Sequence, residues 1–110
     1  MQTPTIVLVD KPIKVFGGYE ASAFTQYPYV TIQREYDSEC LRMHELVHWT
    51  SQQGYVERWG KVGLFLWDAQ YVVLHLWLTI TNVDYRKGGR RLHPLEARAY
   101  EVQYQCEAAQ

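Results

Sequence analysis

Met43-His44-Glu45-Leu46-Val47-His48-Trp49 is the stretch around which the rest of the chain is organised. On a helix, His44 and His48 lie one turn apart and project from the same face. Two neutral imidazoles at that separation hold one Zn2+ at roughly 2.0–2.1 Å each. Glu45 stands beside them, where a carboxylate takes a proton from water held at the metal. Helix signals surround the motif. Asp37 or Ser38 can cap its start, and the early acid Glu39 complements the positive end of the helix dipole. The spacing predicts a helix from about Ser38 to Gln53, with Gly54 as its C-terminal stop. Cys40, Met43, Val47 and Thr50 trace one side of it, and Leu41, His44 and His48 an adjoining one. The metal-binding face therefore borders the buried face.

Upstream, Thr5 to Val9 is a short β-rich run ended by Asp10-Lys11-Pro12. Ile13 to Phe16 reads as a second strand stopped by Gly17-Gly18. Tyr29 to Arg34 alternates and is expected to form an edge strand, with Pro28 at its entrance. Downstream, the apolar run Leu64 to Leu78 is long enough for a helix. Thr81 to Asp84 and Gly88-Gly89 mark a loop. His93-Pro94-Leu95-Glu96 then opens a last helix through about Ala108, with Pro94 in its first turn and Glu96 near the positive end of the dipole.

The 110 residues carry no repeat or linker and are read as one domain over 1–110. Hydrophobic residues make up 47% and charged residues 21%, the balance of a soluble globular chain. A net charge of −1 gives no electrostatic case for nucleic-acid binding. The one basic cluster, Arg86-Lys87-Gly88-Gly89-Arg90-Arg91, reads as a solvated loop. Val62 to Ile80 approaches spanning length, but Asp68, Gln70 and His75 lie inside it. A central Asp costs about 2.5–3.5 kcal/mol on insertion, so a buried helix of a soluble domain is expected, with no membrane. The first residues lack the basic and apolar regions of a secretory signal. The expectation is a cytoplasmic protein in which Cys40 and Cys106 are free thiols, with a disulfide between them as the alternative.

Two histidines leave a catalytic zinc one protein ligand short. A third histidine in the metzincin pattern would fall at position 54, which is Gly54, with Ser51 where that pattern has Gly. Glu96 is the favoured third ligand. It begins a separate helix, and Ala97 and Ala99 are small enough to let that helix approach another closely. Glu101, Asp84, His75 and His93 are the alternatives, as is a site without a third ligand. Glu96 and Glu101 lie roughly 140° apart on a helix, so both cannot face one metal.

Tyr29 to Ile32 as an edge strand, then Met43 to Trp49, then Gln52, resembles the core of the minimal gluzincin peptidases. His93-Pro94-Leu95-Glu96-Ala97-Arg98-Ala99-Tyr100 is similar to the Asn/His-Pro-x-Glu-x-Glu-Ala-Tyr segment of small members. Tyr85-Arg86-Lys87-Gly88 is a rough counterpart of a preceding Tyr-x-x-Gly element. The resemblance covers roughly Val30 to Gln103. Arg98 departs from it by replacing the second acid.

The resemblance implies an α+β zincin-like fold, with a small, mostly antiparallel sheet packed on the His-Glu-x-x-His helix. It implies His44, His48 and Glu96 as zinc ligands and a Zn2+-dependent peptidase acting on a peptide or protein, with Glu45 as general base. A zinc-binding scaffold with weak or no catalysis, docking a partner protein, is the alternative. A membrane-associated protein anchored by Val62 to Ile80 is the most distant one.

Other side chains carry expectations of their own. Tyr85, Tyr71, His75 and His93 are candidates for stabilising a tetrahedral oxyanion. Tyr29 to Arg34 is positioned to hold an extended peptide by β-addition. Cys40, one turn before His44, is either a small buried residue or a fourth, inhibitory ligand. Trp49, following the second histidine, is expected to shield the metal from one side.

Overall fold

Ser38 starts the central helix: its hydroxyl accepts from the Leu41 amide at 3.1 Å, satisfying one of the donors a helix start leaves open. The computed structural model describes residues 3–15 and 20–110. The expected end of the second strand at Phe16 and its Gly17-Gly18 stop lie outside them. Helix α1 spans Glu39–Trp59, passing through Gly54 instead of stopping there. A helical glycine costs only about 1 kcal/mol relative to alanine, too little to end a helix that packing sustains. The turn comes at Gly60, whose φ of +65° suits a residue without a β-carbon.

Helix α2, Lys61–Thr81, follows directly and folds back against α1. Gly63 makes the close approach possible, because a β-carbon there would overlap the Tyr55 carbonyl. A short helix α3, Val83–Arg86, and a 3-10 turn, Arg90–Leu92, lead to α4, Pro94–Ala108. The His93 ring caps α4 by accepting from the Leu95 amide, and Pro94 occupies the first turn as expected. α4 lies along α1, where Ala99 is fully buried and gives no bulk to hold the two helices apart, while Ala97 faces solvent.

The strands are β1, Thr5–Val9; β2, Ile13–Lys14; β3, Glu20–Ala21; β4, Ala23–Gln26; and β5, Tyr29–Gln33. The fold is mixed α+β, with four helices and two small sheets among the described residues. β2 and β3 form an antiparallel ribbon. In the other sheet the order is β1-β5-β4, with β1 parallel and β4 antiparallel to β5. Tyr29–Gln33 is thus the central strand, correcting its reading as an edge; β4 forms the edge toward α1. Pro28 precedes that central strand, where its missing N–H disturbs no ladder. Val30 and Ile32 alternate toward the helix and form a small core with Trp49.

Two further expectations are corrected. Cys40 and Cys106 form a disulfide joining α1 to α4, so neither is a free thiol and Cys40 is no metal ligand. Such bonds persist in oxidising surroundings and are rare in reducing ones. The helix at Val62 to Ile80 is not buried: only Gly63 and Trp67 of α2 are. By length and composition α2 could cross a membrane, yet one face of it is committed to α1 and the cleft.

Candidate metal centre

His44 and His48 emerge from the middle of α1 and Glu96 from the first turn of α4, and all three are buried. Their ligand-type atoms lie within 4.8 Å of one another. His44 Nε2 is 3.4 Å from Glu96 Oε1, and His48 Nε2 contacts the same oxygen. The grouping follows from two local rules. The 3.6-residue repeat stacks the histidines, and the N-terminal position of Glu96 places its carboxylate at the helix end nearest them.

The donor set fits a zinc ion. Tetrahedral ligands each about 2.0–2.1 Å from zinc stand roughly 3.3–3.4 Å apart, the scale of the His44–Glu96 separation. Glu96 Oε1 is also buried without a hydrogen bond of acceptable geometry, although it lies between two imidazoles. A shared cation would relieve the crowding and give Glu96 its partner, leaving His44 Nδ1 and His48 Nδ1 as buried atoms still without one. The identity of the ion is not fixed by the three donors, since imidazole and carboxylate also serve other divalent metals.

Glu45 lies beside this group, with Oε2 3.7 Å from His44 Nε2. Its other oxygen accepts a 2.9 Å hydrogen bond from the Thr25 hydroxyl on β4. Burial pushes the Glu45 carboxyl above its ordinary range, opposed by His48, His44 and the Thr25 bond. Glu96 moves the other way: burial would raise it, but the two histidines hold its carboxyl well below the usual carboxylate range. The two acids are thereby shifted in opposite directions. Burial works against protonation of His44, yet Glu96 and Glu45 together raise its pKa.

Of the other residues anticipated near the metal, Tyr71 and His75 line the cleft beside the group and the rest lie elsewhere. His75 Nδ1 meets the Tyr85 hydroxyl at 2.6 Å. His93 is fully buried; its Nδ1 accepts from Leu95, so Nε2 carries the proton it donates to the Tyr71 carbonyl at 2.9 Å. Glu101 is exposed and pairs with Arg98, and Asp84 is exposed on α3. Trp49 faces the sheet, donating to the Pro28 carbonyl at 3.1 Å, so it does not shield the histidines. Trp67 and Tyr100 flank them instead: Trp67 is edge-on to His48 at 5.8 Å and Tyr100 edge-on to His44 at 4.5 Å between ring centres.

An open cleft of about 660 Å3 lies over the group, bordered by β4, α2 and α4. Tyr71 lines it, its phenol raised by burial and by the Glu96 charge and therefore kept as an O–H donor. Tyr100 is pushed up to about 12 by burial first and Glu96 second.

Gln52 and Thr25 carry roles that the motif alone does not reveal. Gln52 is fully buried one turn beyond His48. It accepts from the Tyr27 amide at 2.7 Å and donates to the Thr25 carbonyl at 3.0 Å, fastening the outer edge of β4 to α1. Its signal in the sequence is the four-residue step His44, His48, Gln52. Thr25 lies in a segment without a clear pattern. Comparison with protein-family models, curated proteins and solved structures finds no match to the chain.

Proposed function

We propose that the chain is a zinc-dependent metallopeptidase in which Glu45 is the general base and His44, His48 and Glu96 hold the ion. The observation that carries this reading is the convergence of two buried imidazoles and one buried carboxylate, with a second buried carboxylate alongside. A bound zinc ion would supply Lewis acidity, polarising a carbonyl and lowering the pKa of a water ligand toward about 7.

The protein's own groups do the rest. Glu45, buried and oriented by Thr25, accepts a proton and returns it to the departing amine. Tyr71, held protonated on the cleft wall, is the favoured donor to a developing oxyanion. An extended peptide pairs with β4, replacing the Tyr29 to Arg34 segment in that role. Gln52 occupies the Thr25 carbonyl and the Tyr27 amide on the outer edge, so the peptide would pair through the Ala23 amide and carbonyl, which the two-residue repeat directs the same way.

The test combines metal analysis with a peptide-cleavage assay. One zinc per chain and chelator-sensitive cleavage are expected. Glu45→Gln should keep the zinc and lose at least about 100-fold in rate. Glu96→Ala should weaken zinc binding by more than about 100-fold, the upper scale on which even outer-shell partners act. A protein that binds zinc stoichiometrically but cleaves no peptide in a broad library would leave only the scaffold reading.

A further inference from the structure

The exposed face of α2 is an apolar surface that the metal centre does not use. Val62, Leu66, Ala69, Val73, Leu76 and Ile80 follow alternating steps of four and three residues, the seam of a helix that pairs with another helix. Phe65 and Trp77 flank that seam. At 100° per residue all eight positions fall on an arc roughly 120° wide. None carries a charge or a hydrogen-bonding group apart from the Trp77 indole. Their exposure is high for such residues, reaching 76% at Ile80 and 69% at Phe65. The opposite face is engaged: Gly63 lies against Tyr55, Trp67 donates to Ser51, and His75 meets Tyr85.

We infer that this face is the contact between two copies of the chain, which associate through their α2 helices about a two-fold axis. With 42–76% of each large residue exposed, the face offers roughly 800 Å2, on the scale of what one partner contributes to a standard stable interface and above the few hundred Å2 usual for the largest patch on a monomer. The seam is self-complementary, as an isologous pairing requires. Leu64, Trp67, Tyr71, Leu74 and Leu78 repeat the same spacing on the covered side, so exposure is what singles out this face. Helices that lie on bilayers carry Lys and Arg along their polar face. Here that face holds Asp68, Tyr71 and His75, which are half-buried and line the cleft. Spanning a bilayer would pull Trp67 away from His48 and open the metal centre.

Sedimentation analysis of the full chain in detergent-free buffer tests the pairing. The expected species has twice the 13.0 kDa chain mass. Val73→Glu and Ile80→Lys, each at a solvent-exposed position, should raise the dissociation constant at least about 100-fold, the effect of losing a central contact. Both variants should keep the parental helix content and zinc stoichiometry. A parental chain that stays monomeric up to about 100 μM overturns the inference, as does a dimer that both variants leave intact. So does a monomer that co-sediments with phosphatidylcholine–phosphatidylglycerol vesicles through this face.

Discussion

The Thr25 hydroxyl donates to Glu45 Oε1 across the gap between β4 and α1, tying the orientation of the acid to the strand that borders the cleft. This bond favours the ionised carboxylate and works against the burial that raises its pKa. Thr25→Val removes the donor, so Glu45 should become a weaker acid and less well oriented. In the proposed peptidase kcat/KM near neutral pH should fall about tenfold, the scale of a hydrogen bond to a charged group. The acidic limb of the pH–rate profile should move to higher pH. Thr25→Ser should restore both, which a purely structural role for the threonine methyl would not produce.

The Cys40–Cys106 bond closes a loop of 66 residues and should be worth about 2–4 kcal/mol. Thiol titration of the native protein should find no free cysteine. Reductant, or Cys40→Ala with Cys106→Ala, should lower the midpoint of chemical unfolding accordingly.

His93 supplies a pH dependence whose sign follows from its surroundings. Burial depresses its pKa, with the Tyr71 carbonyl and Glu96 opposing only in part. In the unfolded chain it titrates near the ordinary 6.5. Its contribution is therefore complete above that value and is lost as pH falls from there through the lower folded pKa, because only the unfolded state gains the proton readily. His93→Asn keeps a capping side chain but removes this titration. The stability difference between parent and variant should shrink from about pH 7.5 to about pH 5.5 in denaturant melts. A constant difference would refute the assignment.

Two glycines on adjoining helices should respond oppositely to alanine. Gly63→Ala forces a methyl into the Tyr55 backbone and should destabilise by about 1–3 kcal/mol or more. Gly54 has open space around it inside α1, so Gly54→Ala should stabilise by about 0.5–1 kcal/mol. Thermal melts of the two variants check both signs.

Why some of this was readable beforehand is a matter of range. The His44–His48 step and the Pro94–Glu96 helix start are local signals, set by a repeat and a cap, and these assemble the candidate metal group. The strand order was not local. Val30 and Ile32 alternate whether Tyr29–Gln33 sits at an edge or between two neighbours, and only β1 crossing back in parallel makes it central. Apolar residues surround α2 on nearly every side, so periodicity could not say which face is covered; the covered one follows Gly63 and Trp67. Gly54 resembles a stop signal, yet Tyr55 beyond it bonds to Gln70 at 2.8 Å and α1 continues. The pairing of Cys40 with Cys106 depended on how α4 lies along α1.

That cross-link bears on what would happen if the proposed ion were withdrawn. Small zinc modules commonly unravel once stripped, because the cation is their only fastening. Here the two ligand-bearing helices are riveted covalently on one flank and meet over Ala99 on another. A chelator should leave a standing socket, ready to take its metal back without refolding.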